Sequence, residues 1–261
     1  LLSAISYKRL KSNQFFMKKI LVLTKTRLDY YGNPFGLNNS ADFITEALNE
    51  SGYTATYMPV EDGNSVDAAV TKSGAKIVLI EALWVTPDKL EELSKLHKNV
   101  TWLVRIHSNI PFLALEGMAI GWIKKMLKIP RVTVICNNLQ TSLELSAVLQ
   151  EKIPHLPNVY LTPSYCPKKI LERDCGNSDV IDVSCFGAIR PFKNHLTQAL
   201  AAVWAANKQG QVLNFHINAT RVEQRGDSIL HNIIALFDGT RHNLVMHGWE
   251  DHKTFLNTVS L

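Results

Sequence analysis

Short apolar runs separated by stretches of helical period constrain this chain more than any other feature. Ile20–Thr24, Ala55–Met58, Ile77–Glu81, Thr101–Ile106, Val132–Asn137 and Asn158–Leu161 carry Val, Ile and Leu on both faces. Strands of a parallel sheet buried on both sides read this way, and parallel neighbours need a crossover helix between them. The intervening segments supply such helices. Ile44, Ala47 and Leu48 share one face after Ser40, and Gly52 closes that helix. Thr86-Pro87 offers an N-cap and a first-turn proline ahead of Leu90, Leu93 and Leu96. Leu115–Leu127 and Leu139–Leu149 complete the set. The alternation predicts an α/β doubly wound domain over residues 17–167.

The alternation stops at a proline-punctuated seam, Ile153–Pro157 and Pro163–Pro167, and a polar linker over 168–179. It restarts with strand Val180–Phe186, helix Asn194–Lys208, strand Val212–Asn218, helix Ser228–Phe237, strand Asn243–Met246 and helix Asp251–Val259. A second α/β unit over 180–261 is therefore expected. Three strands leave a sheet with an edge and a poorly covered face, so this unit is expected to be partial, in a natural chain that continues. Leu1–Phe16 hold basic residues but no signal-like apolar core. Met17-Lys18-Lys19 runs straight into the first strand, so residues 1–16 are expected to be an upstream or flexible arm.

Composition narrows the function classes. The 28 Lys and Arg exceed the 23 Asp and Glu by five, and they are scattered, without the basic ribbon that grips nucleic acid. A mild positive excess suits an anionic small ligand or an acidic membrane surface. Cys136, Cys166, Cys175 and Cys185 form no CxxC pair or zinc spacing. Cys136 and Cys185 sit in apolar runs as expected buried thiols, and a reducing cytoplasm is the default. No apolar run reaches the ~18 residues of a membrane span.

The segment richest in chemistry is Val183–His195. A strand ends at Gly187, a short loop carries Arg190 and Lys193, and a helix begins near Asn194. The free N–H groups and partial positive charge of a helix N-terminus, beside two cations, suit a diphosphate, especially one gaining charge as it departs. A surface loop with solvated cations would read alike. There is no GxGxxG and no GxxxxGK[ST], which removes the main support for dinucleotide and P-loop readings.

Gly187-Ala188-Ile189-Arg190-Pro191-Phe192-Lys193-Asn194 resembles the G-x-x-x-P-x-K-G/N loop of GT-B glycosyltransferases related to glycogen synthase and sucrose synthase, glycosyltransferase family 4. The resemblance covers most of 17–261, as topology more than as sharp motifs. It implies a GT-B fold of two Rossmann-like parallel-sheet domains, acceptor side first and nucleotide-sugar side second. It also implies that Lys193 and Arg190 hold the donor diphosphate, with Gly187 and Asn194 in the same loop. The family Arg commonly follows the glycine, where this chain has Ala188, so Arg190 departs from the pattern. In similar enzymes the loop after the first strand, here Tyr31–Ser40, brings backbone close to the ligands, which assigns ligand contact to Gly36 and Leu37. His107, at the end of the fourth strand, matches a family His near the transferred sugar. Arg105, two residues earlier on the same face, is expected to pair with phosphate or to cap the sheet. Gly248 and Trp249 correspond to a segment bordering the nucleotide base.

The expected function is transfer of a sugar from a nucleotide diphosphate-sugar to a glycan, lipid or protein acceptor, with retention of configuration. Lys193 and Arg190 would replace the divalent metal used elsewhere, so no metal or cofactor is expected. Nucleic acid is not expected as a partner, and the location expected is cytoplasmic or peripheral to the inner face of the membrane. The family's E-x7-E region has no counterpart, since Glu223 and Glu250 are isolated; the chain as it stands is expected to be inactive. The alternatives are a GT-B nucleotide-sugar epimerase, a non-catalytic GT-B relative, and a two-lobed binding protein.

Overall fold

A computed structural model describes residues 19–26, 36–113, 116–150, 159–161, 179–250, 254–255 and 259. By internal contacts the chain divides into two units. The first holds residues 1–26, 40–110 and 116–165, and the second holds 27–39, 111–115 and 166–261.

In the first unit, strands β1 (Lys19–Lys25), β2 (Thr54–Val60), β3 (Ile77–Glu81), β4 (Thr101–Ile106), β5 (Val132–Cys136) and β6 (Val159–Leu161) form one sheet. Its order is β2-β1-β3-β4-β5-β6, and every pairing is parallel. Leu21, Val22 and Leu23 of β1 are fully buried, as are Val78 and Ile80 of β3. Burial on both faces is the reason these runs are apolar at consecutive positions. The strand order reverses between β1 and β3, and the carboxyl ends of the strands beside such a reversal are where open α/β sheets bind ligands.

The helices before β7 are α1 (Gly36–Glu50), α2 (Ser65–Ser73), α3 (Pro87–Leu96), α4 (Ile110–Leu113), α5 (Ala119–Met126) and α6 (Leu139–Gln150); residues 36–39 of α1 and 111–113 of α4 count with the second unit, the rest with the first. Thr86 caps α3, its side chain accepting from the Lys89 N–H at 3.2 Å, with Pro87 in the first turn. α1 begins four residues before Ser40, so Gly36 and Leu37 lie in its first turn rather than in a loop. The helix expected over Leu115–Leu127 is shorter, and a four-residue turn, α4, precedes it. Gly117, with φ of +56°, falls between the two. α2 is absent from the sequence reading; Val66, Ala69 and Val70 are its buried residues.

The second unit contains β7 (Val180–Cys185), β8 (Val212–Asn218) and β9 (Asn243–His247), parallel in the order β7-β8-β9, with α7 (His195–Gln209) and α8 (Asp227–Phe237). Leu213, Phe215, Ile217, Ala199, Ala202, Ala206, Ile233 and Phe237 form its core. The strand expected over Val180–Phe186 is covered on one face only. Ile181, Val183 and Cys185 meet the core, whereas Asp182 and Ser184 alternate onto the other face. That face is polar. The His216 Nε2 is 3.0 Å from Asp182 Oδ1, and the His216 Nδ1 is 2.9 Å from His247 Nε2. Most of the helix expected over Asp251–Val259 lies outside the described residues, as do Cys166 and Cys175. Cys136 and Cys185 are buried free thiols, and burial pushes the Cys136 thiol up to about 11. Among the described residues, no helix is long and apolar enough to cross a membrane.

Candidate functional site

The loop from β7 to α7 is built around its backbone. Gly187 has φ of +112°, and a Cβ added there would stand 3.0 Å from the Lys193 Nζ. Glycine thus lets the chain turn and leaves room for the ammonium. Phe192 and Asn194, on either side of Lys193, take φ of +66° and +55°. Asn enters this left-handed region more readily than most residues, whereas a Phe there carries strain of about 1–2 kcal/mol. Strain of this kind persists where surrounding contacts fix it. Here the Lys193 N–H bonds Arg190 O at 3.3 Å, and the Gln198 Nε2 donates to Lys193 O at 2.8 Å.

The start of α7 is open. Asn194 makes no side-chain capping bond, and the helical ladder begins with Gln198 N–H on Asn194 O at 2.9 Å. The N–H groups of the first turn therefore have no intrahelical acceptor, the arrangement that favours an anion. His195 opens this turn and is buried; burial first, then the Lys193 charge, lower its pKa. Burial also lowers the pKa of Lys193, and Arg190 adds to that, while Glu223 opposes it.

A second loop, after β8, braces the first. Ile189 N–H bonds Arg221 O at 2.9 Å, and Glu223 N–H bonds Ile189 O at 2.9 Å. Gly226 packs so closely that a Cβ would fall 2.1 Å from Ile189 O. Glu223 receives Arg221 at 2.6 Å and Arg190 at 3.5 Å. Among the described residues, no carboxylate lies within ion-pair distance of Lys193. Positive charge thus outnumbers negative around the loop.

Asn218, buried at the end of β8, ties the parts together. Its Oδ1 accepts from Gly187 N–H at 2.8 Å, and its Nδ2 donates to Gly248 O at 3.1 Å. Gly187, Asn218 and Trp249 line one cavity with Phe186 and Phe255. Trp249 is half-buried rather than a core residue, and the Arg221 guanidinium carbon lies 4.2 Å from its ring centre. Of the sequence-derived candidates, Gly36, Gly187, Arg190, Lys193, Asn194, Gly248 and Trp249 therefore gather in the second unit, and Gly36 lines the same cavity as Gly187 and Trp249.

The first unit holds a different cluster at the carboxyl ends of β3 and β4. Parallel register sets Glu81 opposite Arg105. Both are fully buried, and the Arg105 Nη1 donates to Glu81 Oε1 at 3.2 Å. The His107 Nε2 donates to the other carboxylate oxygen of Glu81. Asn137 Nδ2 bonds His107 O at 3.2 Å, and Trp84 Nε1 bonds Glu81 O at 2.8 Å. Ala82, directly after Glu81, is held at φ of +71° with its N–H on Arg105 O at 2.8 Å. Arg105 thus reaches a carboxylate and caps the sheet from inside; it presents no exposed surface to a phosphate. Among the described residues, a Cβ at Gly36 would meet nothing within 4 Å.

Sequence reasoning placed Asn218 at a ligand-facing strand end but gave no role to it or to Glu81. Each closes a strand, at the sheet end where ligands gather, and that position was the available signal. The choice of partner across the sheet was not visible.

No protein-family model matches this chain, and no curated protein sequence matches it. A solved structure, "Crystal structure of GtfA/B complex", is similar over 72% of this chain and 38% of that chain, at 10% identity and a TM-score of 0.46.

Proposed function

We propose that the protein is a GT-B glycosyltransferase that takes a sugar from a nucleotide diphosphate-sugar and passes it to an acceptor hydroxyl with retention of configuration. The observation that carries this reading is the β7–α7 loop. An uncapped helix start, a Lys193 ammonium seated over Gly187 without a carboxylate partner among the described residues, and Arg190 beside it make a cradle for a diphosphate. A departing nucleoside diphosphate gains negative charge as the glycosidic bond breaks, and donors fixed in advance stabilise that charge most. Lys193 supplies a point charge and the first turn of α7 supplies N–H groups. Arg190, held at its other side by Glu223, supplies the second cation.

Asn218 sets the spacing between the phosphate loop and the segment of Gly248 and Trp249, where a flat nucleobase can lie beside an aromatic ring. His107, in the first unit, is the group assigned to the transferred sugar. The test is direct titration of the chain with UDP, GDP and inorganic phosphate by calorimetry, followed by sugar release from UDP-glucose, UDP-N-acetylglucosamine and GDP-mannose. Saturable binding of one nucleoside diphosphate, far tighter than phosphate alone, is expected. Absence of nucleoside diphosphate binding would remove the reading.

A further inference from the structure

We infer that Glu81 is a positioning residue that fixes the His107 ring as its Nε2–H tautomer and presents Nδ1 as a hydrogen-bond acceptor for a sugar hydroxyl. The inference rests on the proposed function for the identity of the ligand, but its geometry stands on the first unit alone. A carboxylate accepts and cannot donate, so the ring nitrogen it touches must carry the proton. Glu81 cannot turn away, because it is fully buried and its carboxylate also takes the Arg105 guanidinium. The carboxylate–imidazole contact is thereby fixed from three sides: by Arg105 from β4, by the Trp84 indole on the Glu81 carbonyl, and by Asn137 on the His107 carbonyl.

The other ring nitrogen is different. His107 Nδ1 bonds none of the described residues, and the side chain keeps 21% of its surface exposed. In a neutral ring whose Nε2 holds the proton, Nδ1 carries a lone pair. An accepting nitrogen matches the O–H of a sugar. It does not match a phosphate oxygen, which is itself an acceptor. The choice of ligand chemistry is thus made one residue away from the ligand, by a side chain that never touches it, much as a buried carboxylate sets the tautomer of a catalytic histidine.

The experiment uses the full chain with ¹⁵N-labelled histidine. Long-range ¹H–¹⁵N spectra, recorded above the ordinary imidazole titration range, report the His107 tautomer. The comparison is Glu81→Gln combined with Arg105→Met, which removes both buried charges together and is checked for an unchanged fold by circular dichroism. An Nε2–H ring in the parent chain that becomes mixed or reversed in the double variant is expected. An Nδ1–H ring in the parent, or the same tautomer in both, would overturn the inference.

A kinetic cycle reads the same residue through turnover of whichever sugar nucleotide the chain uses. The double variant should lower kcat about tenfold, the worth of one hydrogen bond, with donor KM little changed. Added to His107→Ala, it should cost nothing further; losses that add would make Glu81 merely structural and overturn the inference. If the parent, expected to be inactive as it stands, turns over none of the three sugar nucleotides, nucleoside diphosphate binding decides the glycosyltransferase reading, and the spectra alone decide the positioning.

Discussion

The two candidate clusters are built from the same kinds of side chain and balance their charges in opposite ways. At the ends of β3 and β4, Glu81 and Arg105 are both fully buried and bonded to each other, with His107 completing the carboxylate's partners. Where the β7–α7 loop meets the loop after β8, Arg190 and Arg221 both pair with Glu223 while Lys193 has no carboxylate within ion-pair distance among the described residues, and all four keep some solvent exposure. A charge pair closed on itself in the interior orients its neighbours and binds little. A partly open loop with surplus positive charge is short of an anion. The contrast separates charges that are paired with each other from charges left over for an anion.

The comparison breaks first at Arg105. Arg105→Met leaves Glu81 buried without its countercharge and should cost about 3–5 kcal/mol of unfolding free energy. Adding Glu81→Gln should recover most of that loss, because removing both charges of a buried pair is far milder than removing one. Urea unfolding of the single and double variants measures both; equal stability of the single variant and the parent would show that the pair is solvated.

Lys193→Ala should behave in the reverse manner. Stability should barely fall, because the ammonium has no ion-pair partner among the described residues, whereas the Kd for nucleoside diphosphate should rise by about 10- to 100-fold. Burial and Arg190 hold the Lys193 pKa below its usual value. A bound anion favours the protonated form, so affinity should weaken as pH rises through that lowered value. The Ala variant should lose this alkaline dependence, and calorimetry across pH checks it.

Asn218→Ala sharpens the contrast at smaller scale. It strips Gly187 N–H and Gly248 O of their shared partner and should cost about 1–2 kcal/mol, with weaker diphosphate binding alongside. Loss of stability with unaltered binding would detach the loop from the site. Ala82→Gly should have the smallest effect. Glycine relieves the left-handed backbone at φ of +71° but adds freedom to the unfolded chain. A net change under about 1 kcal/mol is expected, with the His107 tautomer unaltered.

How much of this could be read from the chain depended on distance along it. The Gly187–Asn194 loop was legible because its glycine, two cations and helix start fall within nine consecutive residues, counting His195. His107 was legible from its place at a strand end, but its partner was not. Glu81 lies 26 residues earlier, and nothing in either segment marks the other. Gly36 and Leu37 were read as loop because the helix was started after Ser40, and the structure winds them into α1. The open polar face of the second sheet was hidden for a related reason. Val180, Ile181 and Val183 look apolar in sequence, and only the position of α7 and α8 decides which face of β7 is covered.

By itself, then, the sequence determined what depends on neighbours within a turn or a strand: apolar runs, helix starts, a glycine where a side chain cannot fit. Period and local sterics act over a few residues and leave their mark in order along the chain. Tertiary structure decided what depends on sheet order and register. The parallel pairing of β3 with β4 sets Glu81 across from Arg105, and the pairing of β8 with β9 brings Asn218 opposite His247, next to Gly248. Those pairings are fixed by burial of whole strands, a sum over many side chains that no single residue announces.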